Sequence, residues 1–390
     1  MSFPVVELRS AGVSVLDCEH KTPKAQSSGH PYIAIPDVQA GRVTTSTARR
    51  ISTADLIDWN RRTTPTAGDI LVTRRGRVGD TAPIPVGEQV AIGQNLVLLR
   101  STGLQVDQTY LRWAARSPQW WSEVERLLNV GAIFNSLNVK DIGRIKLPVP
   151  PLEHQRAIAQ VLGALDDKIA ANTKLVKAVD ALVRARFDGL RAEATMLIGE
   201  LFELRREPAD PVRMGAHTAY VGLEHVPRKS MWLDDAGTSA TVTSGKSYFE
   251  PGDVLFGKLR PYFHKVVTVA IGGICSTDIL VLRSKKDSFS GFGLAAVSSE
   301  AVVNAVTAAS EGTRMPRTSW NDLAAVEVPW PGEAVAREFS VAVRALEQTV
   351  QSLLRENRTL AATRDALLPQ LMSGKLRVRD SERILEDAGV

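Results

Sequence analysis

The segment NLVLLRS (Asn95–Ser101) returns 183 residues later as DILVLRS (Asp278–Ser284), and its neighbours return with it. YIAIPDV (Tyr32–Val38) reappears as YVGLEHV (Tyr220–Val226), GDILV (Gly68–Val72) as GDVLF (Gly252–Phe256), and IKLPVPP (Ile145–Pro151) as VEVPWPG (Val326–Gly332). The order is kept while the offset drifts only from 188 to 181. Matches in register at this spacing mark a tandem duplication. Each copy reads as short strands and turns with one or two helices: GDILVTRRG is a turn, a buried strand and a basic loop, and AIGQNLVLLR and CSTDILVLR are strands between polar turns. Tyr110–Arg126 reads as a helix interrupted near Pro118. A duplicated chain can place two similar surfaces about a pseudo-twofold axis, which suits a ligand with its own near-twofold symmetry, such as duplex DNA.

Outward from each copy lies a proline hinge, Pro148–Pro151 and Pro329–Pro331, where lost donors and restricted neighbours reset the chain direction. A long helix follows each hinge. The first spans about Glu153 to Phe187, with a seam of Ile158, Leu162, Leu165, Ile169, Asn172, Val176, Val179 and Val183. The second spans about Glu333 to Leu368, with a seam of Phe339, Val343, Leu346, Val350, Leu353, Asn357, Leu360, Arg364 and Leu367. Steps alternating between three and four are a heptad pattern. At about 1.5 Å per residue each helix is roughly 50 Å long. Alone, either would leave its seam wet, so the two are expected to pair. An antiparallel register with Asn172 opposite Asn357 also sets Ile169 opposite Leu360, Val176 opposite Leu353 and Val183 opposite Leu346. A buried Asn172–Asn357 contact would then select the register. The alternative leaves one or both asparagines wet at the seam edge.

The 390 residues suffice for two to three domains. Net charge is +5, unevenly spread. Residues 1–151 carry 18 Lys and Arg against 13 Asp and Glu, whereas residues 191–332 carry 15 against 16. A basic first copy favours a polyanion, although many enzymes reach this charge. Cys18 and Cys275 form no CxxC pair, and the six histidines form no HxxxH helix, so neither a structural zinc site nor a disulfide framework is expected. That usage fits a reducing cytosol, and a cytoplasmic location is expected. MSFPVVELRS lacks the pattern of a signal peptide, and no run of 18 apolar residues predicts a membrane span.

The segment LNVKDIGRIKLPVPPLEHQRAIAQVLGALDDKI (Leu137–Ile169) resembles the specificity subunit of type I restriction–modification systems. The family pattern of an apolar-proline strand, PPLxEQ and LxxLDxxI is met by Pro150, Pro151, Leu152, Gln155, Leu162, Leu165, Asp166 and Ile169. His154 stands where the family has Glu. In the second copy Pro331 and Gly332 replace the proline pair, Ala336 replaces the Gln, and Leu346-Glu347 stands for Leu-Asp. LLPQLMSGKLRV (Leu367–Val378) is similar to the family's C-terminal ending. The resemblance covers essentially the whole chain and implies an α+β fold: two duplicated globular target-recognition domains separated by two long helices forming an antiparallel coiled coil. Its boundaries fall at 1–151 and 191–332 for the domains, 152–190 and 333–375 for the spacer helices, and 376–390 for a tail. It further implies a non-catalytic subunit that reads a bipartite, asymmetric site on double-stranded DNA. Two methyltransferase subunits would dock on the helices, with restriction subunits joining through them. S-adenosylmethionine would belong to the methyltransferase partner, and ATP and magnesium to the restriction partner. Ala159, Asp166 and Lys168 are expected on the faces that partners cover.

No catalytic constellation stands out. An NPPY-type methyltransferase motif is absent, which opposes a nuclease or methyltransferase fusion. FSGFG (Phe289–Gly293) matches a cofactor pattern but aligns with a helix start in the first copy, so it reads as helix initiation. SGKS (Ser244–Ser247) lacks the earlier glycine of a phosphate loop, since Ala240 stands there.

DNA reading needs Arg, Lys, Asn or Gln at base edges and positive charge at phosphates. The densest cluster is Arg74, Arg75 and Arg77 around Gly76. Lys258 aligns with Arg74, followed by Arg260, Tyr262, His264 and Lys265. The loops before the hinges add Phe134, Asn135 and Ser136 in one copy and Arg314, Arg317 and Thr318 in the other, with Arg49, Arg50, Arg61 and Arg62 as phosphate candidates. A solvated loop charge is the alternative for each. Basic loops at matched positions oppose a coiled-coil scaffold that never reads DNA. Scaffold strands repeat while polar loops do not, so the two copies should read different half-sites.

Overall fold

The computed structural model describes residues 3–131, 135–210, 215, 217–310 and 315–381. The chain divides into two compact units, Met1–Lys168 with Thr359–Val390, and Ile169–Arg358. Each long helix therefore contributes to both.

The duplication is visible as topology. In the first unit a four-stranded antiparallel sheet runs in the order Val13–Asp17, Leu96–Ser101, Ile70–Thr73, Thr81–Pro83. In the second the order is Phe202–Arg205, Ile279–Ser284, Val254–Gly257, Val266–Thr268. Both central pairs come from the repeated sequence, with Leu98 opposite Leu71 and Val281 opposite Leu255. A second small sheet repeats as well, built on a parallel pair: His30–Ile33 with Ala91–Ile92, and Ala219–Val221 with Gly273–Cys275. Each unit closes by pairing its first strand with its hinge strand, Val5–Glu7 with Lys146–Pro148 and Ala194–Leu197 with Glu327–Trp330.

The repeated Gly-Asp dipeptides explain themselves here. Gly68 and Gly252 take φ of +85° and +90°, which a side chain resists. Each following aspartate is buried and held by two bonds from an arginine on the adjacent central strand. Arg100 donates from Nε and Nη2 to Asp69 at 2.7 and 2.6 Å, and Arg283 does so to Asp253 at 2.8 and 2.9 Å. Each aspartate also accepts from the main chain of its own turn, from Thr66 N or Glu250 N at 2.8 Å. A fully hydrogen-bonded buried charge of this kind fixes a turn where an unpaired one would open it.

The first long helix spans Leu152–Asp188 and the second Glu333–Met372. The second continues through Pro369, past the end at Leu368 read from sequence, and gives up one i→i−4 bond in its last turn. In the second unit they run antiparallel, with Phe187 packed on Phe339 at 6.2 Å between ring centroids and Asn172 bonded to Glu356 further along. The two seam asparagines do not bond each other as expected. Asn172 Nδ2 donates to Glu356 Oε2 at 2.7 Å, and Asn357 Nδ2 reaches Thr173 Oγ1 at 3.5 Å. A carboxylate is the stronger acceptor, and it takes the bond that an amide would have had.

Residues 290–297 form a helix buried along its length, and Gly291 lies so close to Ser340 that a Cβ there would sit 2.8 Å from its Cα. FSGFG thus opens a packing helix. Among the described residues no single helix is long and apolar enough to cross a membrane; the bent pair Asp287–Val297 and Glu300–Ala309 passes by composition, and its apolar residues line the second unit's core.

Candidate nucleic-acid interface

In each unit the loop after a central strand is zipped to the loop before the hinge by the same main-chain bonds. Arg74 N donates to Asn95 O at 2.8 Å and Leu137 N donates to Arg74 O at 3.0 Å. In the second unit Lys258 N donates to Asp278 O at 2.9 Å and Thr318 N to Lys258 O at 3.0 Å. One residue further, Arg75 bridges Ser136 and Leu259 bridges Arg317. The two candidate clusters of each copy therefore form one surface. Arg75, Gly76, Asn135 and Ser136 share it in the first unit; Lys258, Arg260, Tyr262 and Arg317 share it in the second. Arg314 and Phe134 lie outside the described residues.

Within each surface the side chains divide into anchors and presented groups. Arg74 turns inward, with its side chain 13% exposed, Nε on Leu137 O at 3.2 Å and Nη1 3.9 Å from Asp17. Arg77 is tied down by the carbonyls of Ile35, at 2.7 Å, and Val38, and by Asp80 at 3.3 Å. Arg75 and Asn135 are exposed, Ser136 partly so, and Gly76 takes φ +68° at the tip. In the second unit Lys258 is half-buried, Arg317 is exposed and leans on Asp278 at 3.3 Å, and Tyr262 is 50% exposed. Arg260 is half-buried and faces the Phe263 ring. His264 is buried: one ring nitrogen meets Ser298 O at 2.8 Å, the other lies 3.8 Å from Glu300, and burial pushes its pKa below the ordinary value. His264 and Arg74 cannot present themselves to a ligand in this arrangement; both hold a loop in place. Arg49 and Arg50 are likewise bonded to main-chain carbonyls, and Arg61 is paired with Asp58.

Residues 16–181 match the type I restriction modification DNA specificity domain. Over nearly the whole chain the architecture follows that of the type I restriction–modification S subunit from M. genitalium, with TM-score 0.56 at 15% identity over 95% of this chain and 96% of that one. This likeness is one of fold, and the match to the specificity domain covers residues 16–181. The chain is 35% identical over 106 residues to the MjaX type I specificity subunit of Methanocaldococcus jannaschii, covering 27% of this chain and 24% of that one. It is 31% identical over 107 residues to the EcoDI specificity subunit of Escherichia coli, covering 27% and 23%. The chain thus spans about a quarter of the length of these curated relatives.

The residues that carry the family resemblance hold the first hinge together. Gln155, fully buried, accepts Asp107 N at 2.7 Å and donates to Gln105 O and Pro150 O at 2.8 and 2.7 Å. Where the second copy has Ala336, Ser340 one turn on takes over. It accepts Phe292 N at 2.9 Å and donates to Ala336 O at 2.8 Å. Asp166 does not face outward as expected. It is 3% exposed and bonded to Arg112 and Arg364, with Arg42 at 3.9 Å, and Ala159 is buried as well. Three arginines converge on one carboxylate because the helix is covered by its own domain on that side. Nothing in the spacing of the helix alone reveals this; Arg364 in an apolar seam was the one hint, since a buried cation needs a buried acid.

Two further groupings carry no chemistry. Asp17, Cys18 and His20 bring their ligand atoms within 4.8 Å of one another, but the Cys18 thiol donates to Gly93 O at 3.1 Å. Burial, reinforced by Asp17, pushes that thiol up to about 11. Arg74 and Arg62 already sit beside Asp17, so the group offers a metal neither a thiolate nor a free carboxylate. Lys246 of SGKS lies at a strand start and bonds Ser244 O at 2.8 Å, which leaves no phosphate cradle.

Proposed function

We propose that this chain is the DNA-reading subunit of a type I restriction–modification complex. Each of its two domains reads one half of a split, asymmetric target on double-stranded DNA. The long helices set the distance between the halves and dock two methyltransferase subunits, which in turn bring restriction subunits. S-adenosylmethionine acts in the methyltransferase and ATP with magnesium in the restriction subunit; this chain contributes binding and no reaction step. Domain boundaries at residues 1–151 and 191–332, with helical spacers at 152–190 and 333–375, suit that division of labour.

The observation that carries this reading is the repeated loop pair. The same main-chain zip presents different side chains in the two units: Arg75, Asn135 and Ser136 against Lys258, Arg260, Tyr262 and Arg317. A common scaffold with unlike tips is what reading two unlike half-sites demands, since base edges are distinguished by donor and acceptor pattern. Arg75 is the leading base-reading side chain in the first domain, because its neighbours Arg74 and Arg77 are held by protein carbonyls. Arg75→Ala should weaken binding by about 1–3 kcal/mol and relax the first half-site only. A uniform loss across sequences would make it a phosphate contact.

The reading is tested by expressing the chain with its methyltransferase in a host lacking adenine methylation and mapping modified bases. One split motif, methylated only when this chain is present, is the expected result. A stable complex that methylates nothing new would overturn it.

A further inference from the structure

The tip at Pro261–Phe263 in the second domain has no counterpart among the described residues of the first. Among the described residues four non-glycine positions take positive φ, and three of them surround this tip: Lys229 at +55°, Arg260 at +50° and His264 at +52°. Such backbone persists only where the surroundings over-determine it. Here they do. Arg260 N donates to Pro316 O at 2.8 Å, Lys229 N donates to His264 O at 2.8 Å, and the His264 ring is anchored on Ser298 O. Phe263 lies beneath the Arg228 guanidinium at 4.0 Å and edge-on to Tyr262 at 4.8 Å between centroids. The result is a stiff turn that pushes one large ring outward. Tyr262 is 50% exposed, and Met315, just before the proline that receives the Arg260 bond, is 51% exposed.

An exposed ring on a braced tip, set among Lys258, Arg260 and Arg317, combines an apolar face with a cationic surround. The matching positions of the first domain are Arg77, Val78 and Gly79, with no ring. Resting on the reading above, we propose that the Pro261–Phe263 tip is an aromatic wedge for duplex DNA. Tyr262 presses its ring against a base step in the second half-site and partly unstacks it, while the surrounding cations hold the phosphates. Aromatic and apolar wedges open base steps in this way, and cost least at flexible pyrimidine–purine steps. His264 is a positioning residue for the wedge. The two half-sites are then read by different physics: hydrogen bonding at the first, local deformability at the second.

The test uses the full chain assembled with its methyltransferase on a duplex carrying the mapped split target. 2-Aminopurine replaces bases one at a time in each half-site, away from the adenines that become methylated. Fluorescence should rise at a single step of the second half-site and stay flat through the first. Tyr262→Phe should keep the signal and bind within about twofold of the parent. Tyr262→Ala should abolish the signal and weaken binding about tenfold, the loss expected for one base–ring contact, with an unchanged melting temperature because the side chain is exposed. Equal loss in both variants would make the hydroxyl a hydrogen-bonding group and overturn the wedge. So would an alanine variant with intact DNA binding, or one that instead weakens the methyltransferase complex. A parent complex that selects no split target would bring down the underlying reading, a failure visible before any variant is made.

Discussion

In the first unit the motif acid of the long helix, Asp166, is buried and gathers Arg112 and Arg364, with Arg42 close by. In the second unit the matching acid, Glu347, accepts from the Thr268 hydroxyl at 3.3 Å, and an aromatic cluster elsewhere packs the domain on its helices. Phe292 packs on Phe187 at 5.5 Å, on Trp330 at 5.4 Å and on Phe339 at 6.4 Å between centroids. One scaffold thus fastens its domain to its helices with buried charge and its duplicate does so with rings. After duplication the strand pattern had to be kept, because a one-residue slip would turn every core side chain outward. The fastening had no such constraint: any arrangement that satisfied its own buried groups would serve.

The largest effect should come from the aromatic side. Phe292 is fully buried, and Phe292→Ala should destabilise the second unit by about 3–5 kcal/mol, the usual cost of emptying a packed aromatic site. Denaturant unfolding of the full chain should show one transition moving and the other staying. If both move together, the two units unfold as one and the contrast between their fastenings has no thermodynamic meaning.

Asp166→Asn tests the ionic side. It keeps the shape but leaves Arg112 and Arg364, both largely buried, without their counter-charge, and removing one partner of a buried pair costs about 3 kcal/mol or more. The first unit's transition should fall to lower denaturant. An unchanged midpoint would mean that water or Asp365, already 2.8 Å from Arg364, replaces Asp166 easily.

How far these features could be read in advance differs by kind. The repeated strands, the proline hinges and both long helices were legible because each rests on a local period or a residue with a fixed backbone effect. Side-chain direction in the loops was not. Arg74, Arg75 and Arg77 look alike as a basic run, yet the zip between loops turns the first inward and leaves the second free. The same holds for His264, a plausible contact by composition and a buried brace in fact. Asp166 was misplaced because a helix covered on more than one side has no single polar face to assign. The asparagine pair failed by one position each, since Glu356 and Thr173 stand beside the expected partners and one of them carries the better acceptor.

The smallest expected effect sharpens the comparison most, because its sign is opposite. Burial raises the Glu347 carboxyl above its ordinary value, with the Thr268 hydroxyl and Arg344 pulling back. A raised acid is one that the folded state prefers to keep protonated. Its contribution is therefore fully present below the ordinary glutamate pKa and is lost as pH rises through the folded value. At neutral pH the second unit carries a partly buried carboxylate that a neutral amide would relieve. Glu347→Gln should raise the melting temperature by a few degrees at pH 7, and the gain should shrink to nothing or reverse in acid, where the parent is protonated. Asp166→Asn should lower stability at pH 7. If Glu347→Gln were also destabilising there, its carboxylate would have to be held by a cation as Asp166 is, and the two fastenings would be the same device after all.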